Sequence, residues 1–250
     1  MKRIRFVARD RHSEHTIPPP IPAKQFIPEW YRSGEMYLDS STLKVTDKSN
    51  PNHTAGMKAC IPFLDVMVSG YMLHTWADIE ITKNDSDVIE FRHIRKNEYN
   101  DEIEEYQESS YPLIDLRTGD IGHTIPIPHG HAHHSLVWPS PWGFRLPKNW
   151  SLLVTHPFNR YELPFTTLSA IMDADEWWTG GNVPFFIKEG WTGIIPKGTP
   201  FAQLMPIKRE SWISHISPWS KKRSRQIGER ARAVTMGFYK KNIWVRKEFN

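Results

Sequence analysis

The sequence predicts a mainly β fold, built from short strands that are joined by turns. Twenty prolines and fourteen glycines interrupt a chain of 250 residues, which argues against a helical bundle. Several runs alternate between apolar and polar residues, the pattern of a strand with one buried face. The length allows one large β domain or two small ones.

Alternation and turn residues place individual strands. Residues 3–9 form a first candidate strand. Residues 76–81 and 88–94 alternate on either side of a polar turn at 84–87, which predicts a hairpin. Residues 142–155 predict two further strands, with the turn between them at 147–149.

We expect three parts along the chain. Residues 1–55 form an N-terminal strand and an extended Pro-rich arm, which wraps its own domain or a neighbouring subunit, or is a loosely packed surface loop. Residues 56–212 form a β-rich core, which includes a short buried helix at 62–70. An acidic run at 100–108 predicts a solvated helix or loop, and residues 213–250 form a basic C-terminal helix and tail.

Charge is distributed unevenly along the chain. The net charge of +4 is too small to imply nucleic acid, but residues 208–250 hold twelve Lys or Arg and three Glu, a net +9 that leaves −5 elsewhere. Ser217 and Pro218 predict the start of a helix, with an apolar face from Ile227 and an end near Gly237. The basic, aromatic tail can grip an acidic partner, a phosphate backbone or the chain's own acidic part, and we favour a protein surface over nucleic acid.

The same composition points to a soluble protein. A single cysteine, Cys60, excludes an intramolecular disulfide, so the fold needs no oxidising compartment. The N-terminus lacks the apolar region of a secretory signal, and no window is apolar enough to span a membrane. We therefore expect no membrane partner.

A histidine cluster at 123–134 invites a metal interpretation. His129, His131 and His133 alternate, so on a strand they would share one face and could hold Zn or Fe with an open position. The neighbouring proline and glycine favour a polar loop instead. The metal site is the less favoured of the two interpretations.

The most ordered pattern of acids, glycines and apolar runs lies at 168–207. Asp173 and Asp175 follow a short apolar run, a Trp-Trp-Thr-Gly-Gly turn comes next, and Gln203 lies in the closing strand. The two aspartates either cap a turn by accepting hydrogen bonds from the backbone of 179–181, or belong to a functional site with Gln203 and Arg160. For Arg160, an ordinary salt bridge to Glu162 or to an aspartate is the competing interpretation.

This stretch resembles two motifs of the dUTP pyrophosphatase and dCTP deaminase superfamily. The matching segments are AIMDAD at 170–175 and GTPFAQL at 198–204, after a similar lead-in at 143–160. The resemblance implies a β-clip barrel or sandwich, trimers and Mg²⁺-dependent hydrolysis or deamination of pyrimidine nucleotides.

Carried over by position, the resemblance gives Asp173 the role of the catalytic acid that orients the attacking water. Gln203 would contact phosphate oxygens, and Arg160 would stand loosely for the arginine of an Arg-Ser corner. Asp175 is a further candidate ligand-binding residue, named for its place beside Asp173. The chain departs from the pattern because no serine follows Arg160 and no glycine-rich C-terminal arm is present. A hydrolase of that type would lack several phosphate-binding groups and the lid that excludes water.

A longer pattern is similar to a family of uncharacterised proteins of tailed bacteriophages. Four segments carry it: IPEWY at 27–31, KACIPFLDVMVSGYML at 58–73, residues 141–175, and IIPKGTPFAQLMPIKRESW at 194–212. It implies a virion or accessory protein, in the particle or the host cytoplasm, that acts by assembly as a homo-oligomer or with other phage proteins through the Pro-rich arm and the basic tail. The alternatives are a Mg²⁺-dependent nucleotide hydrolase or nucleotide-binding protein, and a metal-dependent enzyme built on the histidines.

Overall fold

The computed structural model describes residues 2–85, 88–96, 103–105, 111–117, 124–235 and 238–250. Strands account for 33% of the chain and helices for 19%, which confirms the predicted mainly β class. No helix among the described residues is long and apolar enough to cross a membrane.

The strands of the described residues are short, as the spacing of prolines and glycines predicts. In chain order they are β1 (Arg5–Ala8), β2 (Ile21–Pro22), β3 (Tyr37–Asp39), β4 (His53–Ala55), β5 (Tyr71–His74), β6 (Asp78–Lys83), β7 (Ile89–Lys96), β8 (Ile103–Glu105), β9 (Asp115–Leu116), β10 (Leu136–Pro139), β11 (Trp142–Arg145), β12 (Trp150–Thr155), β13 (Phe165–Thr167), β14 (Ala170–Met172), β15 (Asn182–Ile187), β16 (Gly193–Ile195) and β17 (Pro200–Lys208).

Helices are few among the residues that the structure describes, and most of them are short. They are α1 (Arg11–Thr16), α2 (Glu29–Ser33), α3 (Ile61–Val68), α4 (Lys221–Thr235) and α5 (Phe238–Asn242), with 3₁₀ turns at Ala23–Phe26 and Met57–Ala59. Helix α3 confirms the buried helix predicted at 62–70. Its second residue is Pro62, at a position where the missing N–H costs nothing.

The described strands form five antiparallel sheets. Their orders are β1-β11, β13-β15-β10-β9, β14-β12-β17-β5-β2, β16-β6-β7-β8 and β3-β4. The hairpin predicted from alternation is β6-β7, in which Asp78 faces Ile94 and Lys83 faces Ile89. Positions 86 and 87 of its predicted turn lie outside the described residues.

The chain divides into two compact units that do not follow chain order. One unit contains Met1–Pro22 and Gly70–Arg209, and the other contains Ala23–Ser69 and Glu210–Asn250. The expected segments 1–55 and 56–212 are therefore each divided between the two units, whereas 213–250 lies within the second. The reason is that β1 pairs with β11, and β2 with β5, far along the chain.

The core of the first unit centres on Trp138. Its ring stacks on Phe185 at 3.9 Å and on Phe201 at 4.7 Å, measured between ring centroids. Its indole N–H donates to Thr167 Oγ1 at 3.2 Å, so the one polar atom of a fully buried tryptophan is satisfied. Trp138, one of eleven tryptophans in the chain, is therefore a core residue.

In the second unit, aromatic residues of the predicted arm pack on α3. The ring of Tyr31 stacks on Phe63 at 6.1 Å, and the Tyr31 hydroxyl donates to the carbonyl of Lys58 at 3.3 Å. The arm is not uniformly extended as expected, because it contains α1 and α2. Asp10 caps α1 by accepting from the N–H of Ser13 at 2.7 Å, a local signal that the prediction overlooked.

Two further local predictions were wrong. The C-terminal helix begins at Lys221 rather than at Pro218, because Ser220 supplies the cap: its Oγ accepts from the N–H of Arg223 at 3.1 Å. Within the acidic run at 100–108, Ile103–Glu105 is a strand that pairs with β7 instead of a helix or loop. The rest of that run, apart from this strand, and the predicted helix end at Gly237 lie outside the described residues.

Candidate functional site

The sheet register explains why Asp173 lies close to Arg209. Strand β12 pairs with β14 on one side and with β17 on the other. Leu152 faces Met172, and Trp150 faces Lys208, so β14 and β17 both end beside the start of β12. Asp173 and Arg209 are the next residues after those two strands.

Asp173 is the more exposed of the two acids that contact Arg209. Its Oδ1 accepts a hydrogen bond from Ser151 Oγ at 2.7 Å and lies 3.0 Å from Arg209 Nη1. The hydrogen bond from Ser151, helped by the charge of Arg209, lowers the pKa of the Asp173 carboxyl below its usual value. About 63% of the side chain is exposed, so one side still faces solvent.

Asp175 is enclosed, with only 2% of its side chain exposed. Its carboxylate accepts from Arg209 at both oxygens, with a separation of 2.8 Å between Nη1 and Oδ1, and Nη2 donates to Oδ2. The backbone N–H of Asn149 donates to Oδ2 at 2.7 Å. The two-pronged contact with Arg209 lowers the pKa of Asp175 to about 2 and raises the pKa of Arg209.

The backbone around Asn149 also fits this arrangement. Asn149 has φ +67°, in the left-handed region that asparagine tolerates better than most residues. Its N–H therefore turns toward Asp175, while its carbonyl accepts from the N–H of Arg209 at 2.9 Å. The predicted turn at 147–149 is thus hydrogen-bonded to both members of the ion pair, Asp175 and Arg209.

These contacts limit what the acid pair can do chemically. A general base works best with a pKa near the operating pH, and both carboxyls are shifted in the opposite direction. The predicted bonds to the backbone of 179–181 are not the ones found: Arg209, Ser151 and Asn149 bind the two acids instead. The pair thus joins β14, β17 and the start of β12.

Gln203 lies at the other end of β12. It faces Thr155, four residues from Ser151, which corresponds to about 13 Å along a strand. Its side chain is fully buried, and its Oε1 accepts from the N–H of Phe158 at 3.0 Å. Gln203 therefore supports the corner at 156–160, and within this chain it does not meet Asp173.

Arg160 belongs to that same corner. Its Nε donates to Glu162, the salt bridge that competed with the functional interpretation. The His156 ring fixes the corner from inside: Nδ1 accepts from the N–H of Thr167 at 3.2 Å, and Nε2 donates to the carbonyl of Arg160 at 3.2 Å. Burial lowers the pKa of His156, which favours this neutral form.

The histidine cluster adopts a mostly irregular conformation. His131 Nδ1 lies 3.0 Å from the carbonyl oxygen of His129, and its Nε2 lies 2.8 Å from Thr166 Oγ1. His129 and His133 are exposed. In the part of the chain that the structure describes, no three His, Cys, Asp or Glu side chains form a group that could hold a metal ion. Position 123, the first histidine of the predicted cluster, lies outside that part.

Sequence reasoning missed Arg209 and Asp65. Arg209 was counted only as part of a basic segment. It directly follows β17, and β12 lies between β17 and the strand that precedes the two acids, β14. Asp65, on α3, accepts from Trp244 Nε1 at 3.0 and 2.9 Å and from Lys247 Nζ at 2.5 Å. The basic tail thus binds an acid of its own unit, which was one of the three partners considered for it.

No model of a known protein family matches this chain, and no curated protein matches it either.

Proposed function

We propose that this protein acts by assembly or binding rather than by catalysis, as a virion or accessory component of a tailed bacteriophage. It works in the particle or the host cytoplasm, as a homo-oligomer or with other phage proteins. The basis in sequence is the similarity of four segments to a phage family. The basis in structure is a segment that leaves large apolar side chains in solvent.

That segment, residues 211–219, is called the apolar arm below. It has no helix or strand, and every residue in it is exposed. Trp212, Ile213, Ile216 and Trp219 have relative exposures of 86%, 97%, 94% and 70%. Contiguous exposed apolar surface commonly marks a protein interaction site, because its burial releases free energy. This exposure is the observation that carries the proposal.

A second copy of the chain is the partner that we assign to the apolar arm. The basic C-terminal segment at 208–250 carries +9 and the rest of the chain carries −5, so the net charges favour contact between the basic segment of one copy and the remainder of another. An extended segment with unpaired backbone groups can also add to a sheet edge, and β14 is a terminal strand of its described sheet with Ile171 exposed.

The geometry of the acid pair supports a binding role over hydrolysis. Asp173 and Asp175 share the single guanidinium of Arg209, and the predicted partner Gln203 supports a separate corner. For the Mg²⁺-dependent alternative, Asp173 would have to bind the metal through the exposed side of its carboxylate, beside the positive charge of Arg209.

The test is the oligomeric state of the full chain, measured by sedimentation velocity between about 1 and 100 µM. We expect an oligomer that dissociates when Trp212, Ile213, Ile216 and Trp219 are replaced together by serine. The matched control replaces the exposed Leu43 and Val45 by serine and should leave the oligomer intact. A wild-type chain that stays monomeric over this range would refute self-association.

The virion part of the proposal is tested separately. Mass spectrometry of purified particles from a phage that encodes this chain should detect it in a fixed ratio to the structural proteins. Detection in the infected cell alone would assign the accessory role instead. A nucleotide-dependent rise in melting temperature with Mg²⁺ that Asp173→Asn abolishes would favour the hydrolase or nucleotide-binding alternative.

A further inference from the structure

Four cationic side chains line a groove at the sheet of β1 and β11. The groove has a volume of about 440 Å³, and its walls are Lys2, Arg3, Arg5, Arg145, Leu146 and Pro147. All of them belong to the first compact unit. We propose that this groove, called the basic groove below, binds the phosphate backbone of single-stranded nucleic acid.

The first argument is a pair of like charges. Arg5 and Arg145 are register partners on antiparallel strands, which places both side chains on one face of the ribbon. Among the described residues, no acidic partner is found for Arg3, Arg5 or Arg145. Like charges directly opposite each other repel, and an anion bound between them would convert the repulsion into attraction.

The second argument is the linear arrangement of the charges. From residue 3 to residue 9 the odd-numbered residues are exposed and the even-numbered ones are more covered. Three of the four exposed residues are arginines, Arg3, Arg5 and Arg9, and the fourth is Val7. Six residues of extended chain cover about 20 Å, so the row suits a ligand with repeated phosphates better than a single anion. A groove that follows the backbone is the usual electrostatic element of single-strand binding.

The third argument is the presence of aromatic rings beside the row. The ammonium of Lys2 lies 4.0 Å from the centroid of the Trp150 ring, and the guanidinium of Arg9 lies 5.0 Å from that of Tyr111. Bases stack on such rings with little sequence preference. The row of cationic side chains from Lys2 to Arg9 thus has an aromatic ring at each end, Trp150 and Tyr111.

An exposed tryptophan pair lies against the same face. Gly143 lies two residues before Arg145 on β11, so the two positions face the same side of the ribbon. A Cβ at Gly143 would lie 2.4 Å from the carbonyl oxygen of Trp178. The turn that carries Trp177 and Trp178 therefore packs on the ribbon face that bears the arginines. The two side chains are 67% and 53% exposed. Two exposed indole side chains beside the arginines favour nucleic acid over an acidic protein as the ligand, since bases stack on aromatic rings.

The test measures the binding of a fluorescent 15-nucleotide single strand to the full chain by anisotropy, between 50 and 200 mM salt. The groove variant is Arg5→Gln with Arg145→Gln. The control variant, Lys221→Gln with Lys222→Gln, removes the same charge from the exposed start of α4. Melting temperatures verify that both variants fold, and the groove variant should melt no lower than wild type because it loses a repulsion.

We expect the groove variant to bind about tenfold or more weakly, with the control within about twofold of wild type. The plot of log affinity against log salt should be shallower in the groove variant, with a slope smaller in magnitude by about 1.4. Each phosphate contact on a single strand contributes about 0.7, and the variant loses two such contacts. No binding by wild type at 50 mM salt, or an equal loss in both variants, would overturn the proposal. Tighter binding to a 15-base-pair duplex than to the single strand would also overturn it.

The stacking part has its own comparison. Trp177→Ala with Trp178→Ala should weaken binding by about fivefold or more, the lower end of what base stacking contributes. Trp212→Ala with Trp219→Ala, in the apolar arm, should leave binding unchanged. A loss of binding in the Trp212→Ala, Trp219→Ala variant, with none in the Trp177→Ala, Trp178→Ala variant, would place the nucleic acid on the apolar arm and refute this assignment. None of these outcomes depends on self-association.

Discussion

Arg209 holds Asp175 through two hydrogen bonds to its carboxylate, and it reaches Asp173 with the same guanidinium. The two acids come from the end of β14, and the arginine comes from the end of β17. An acid pair that reads as catalytic in the sequence is therefore a link between two strands that do not pair with each other.

Removal of Arg209 should destabilise the fold more than removal of a surface arginine. Arg209→Ala leaves the enclosed carboxylate of Asp175 with the Asn149 N–H as its remaining bond, and an enclosed charge without its partner is unfavourable. The control is Arg92→Ala, which breaks the more exposed pair with Glu80. Urea unfolding of both variants gives the comparison, and equal losses would contradict a linking role for Arg209.

The low pKa of Asp175 predicts a loss of stability in acid. Its pKa is about 2 in the folded chain, below the usual 3.8, so the unfolded state binds the proton more readily. This contribution is complete above about pH 5 and is lost as the pH falls from about 4 toward 2. Free energies of unfolding for wild type and Asp175→Asn, measured from pH 7 to pH 2.5, should converge as the pH falls. A difference between the two proteins that stays constant over this pH range would contradict the low pKa of Asp175.

Gln203 should matter for stability through its buried amide. Gln203→Met keeps the approximate shape of the side chain but leaves the N–H of Phe158 without its acceptor. Loss of a buried acceptor costs about 1–3 kcal/mol of unfolding free energy. The same change at the exposed Gln226 should stay within about 0.5 kcal/mol. Chemical denaturation measures both, and a neutral Gln203→Met would show that the corner at 156–160 does not need this hydrogen bond.

Two glycines in the left-handed region should differ in their tolerance of alanine. Gly70 has φ +77°, and a Cβ there would lie 2.0 Å from the carbonyl oxygen of Leu204, so Gly70→Ala adds a backbone clash to the strain. Gly198 has φ +85° with nothing within 4 Å, so Gly198→Ala should cost only about 1–2 kcal/mol. Thermal unfolding should give the larger loss at Gly70; the opposite order would contradict the close approach to β17.

The bond network at Asp65 should hold the C-terminal tail in place. Asp65→Ala removes the acceptor of both Trp244 and Lys247, so backbone amides at 238–250 should exchange with deuterium faster than in wild type. Asp78→Ala is the control in the other unit, where it removes an acceptor of the Lys197 N–H. Unchanged exchange in the tail would indicate that other contacts anchor it.

The sequence by itself determined the mainly β class, the β6-β7 hairpin, helix α3 and the turn before β12. Each of these depends on neighbours in the chain: alternation, a proline at the first turn of a helix, or an asparagine that accepts a positive φ. The start of α4 was misplaced by three residues, because Ser217 and Ser220 offer similar caps and sequence alone does not choose between them.

Only the tertiary structure decided which groups the charged side chains meet. Asp173 and Arg209 are 36 positions apart, and they meet because β12 lies between β14 and β17 in an antiparallel register. The same register separates Gln203 from Asp173 along β12. In a separate sheet, the pairing of β1 with β11 places Arg5 opposite Arg145. Side-chain type and order along the chain carry little information about such pairings, since they follow from strand order, which non-local packing sets.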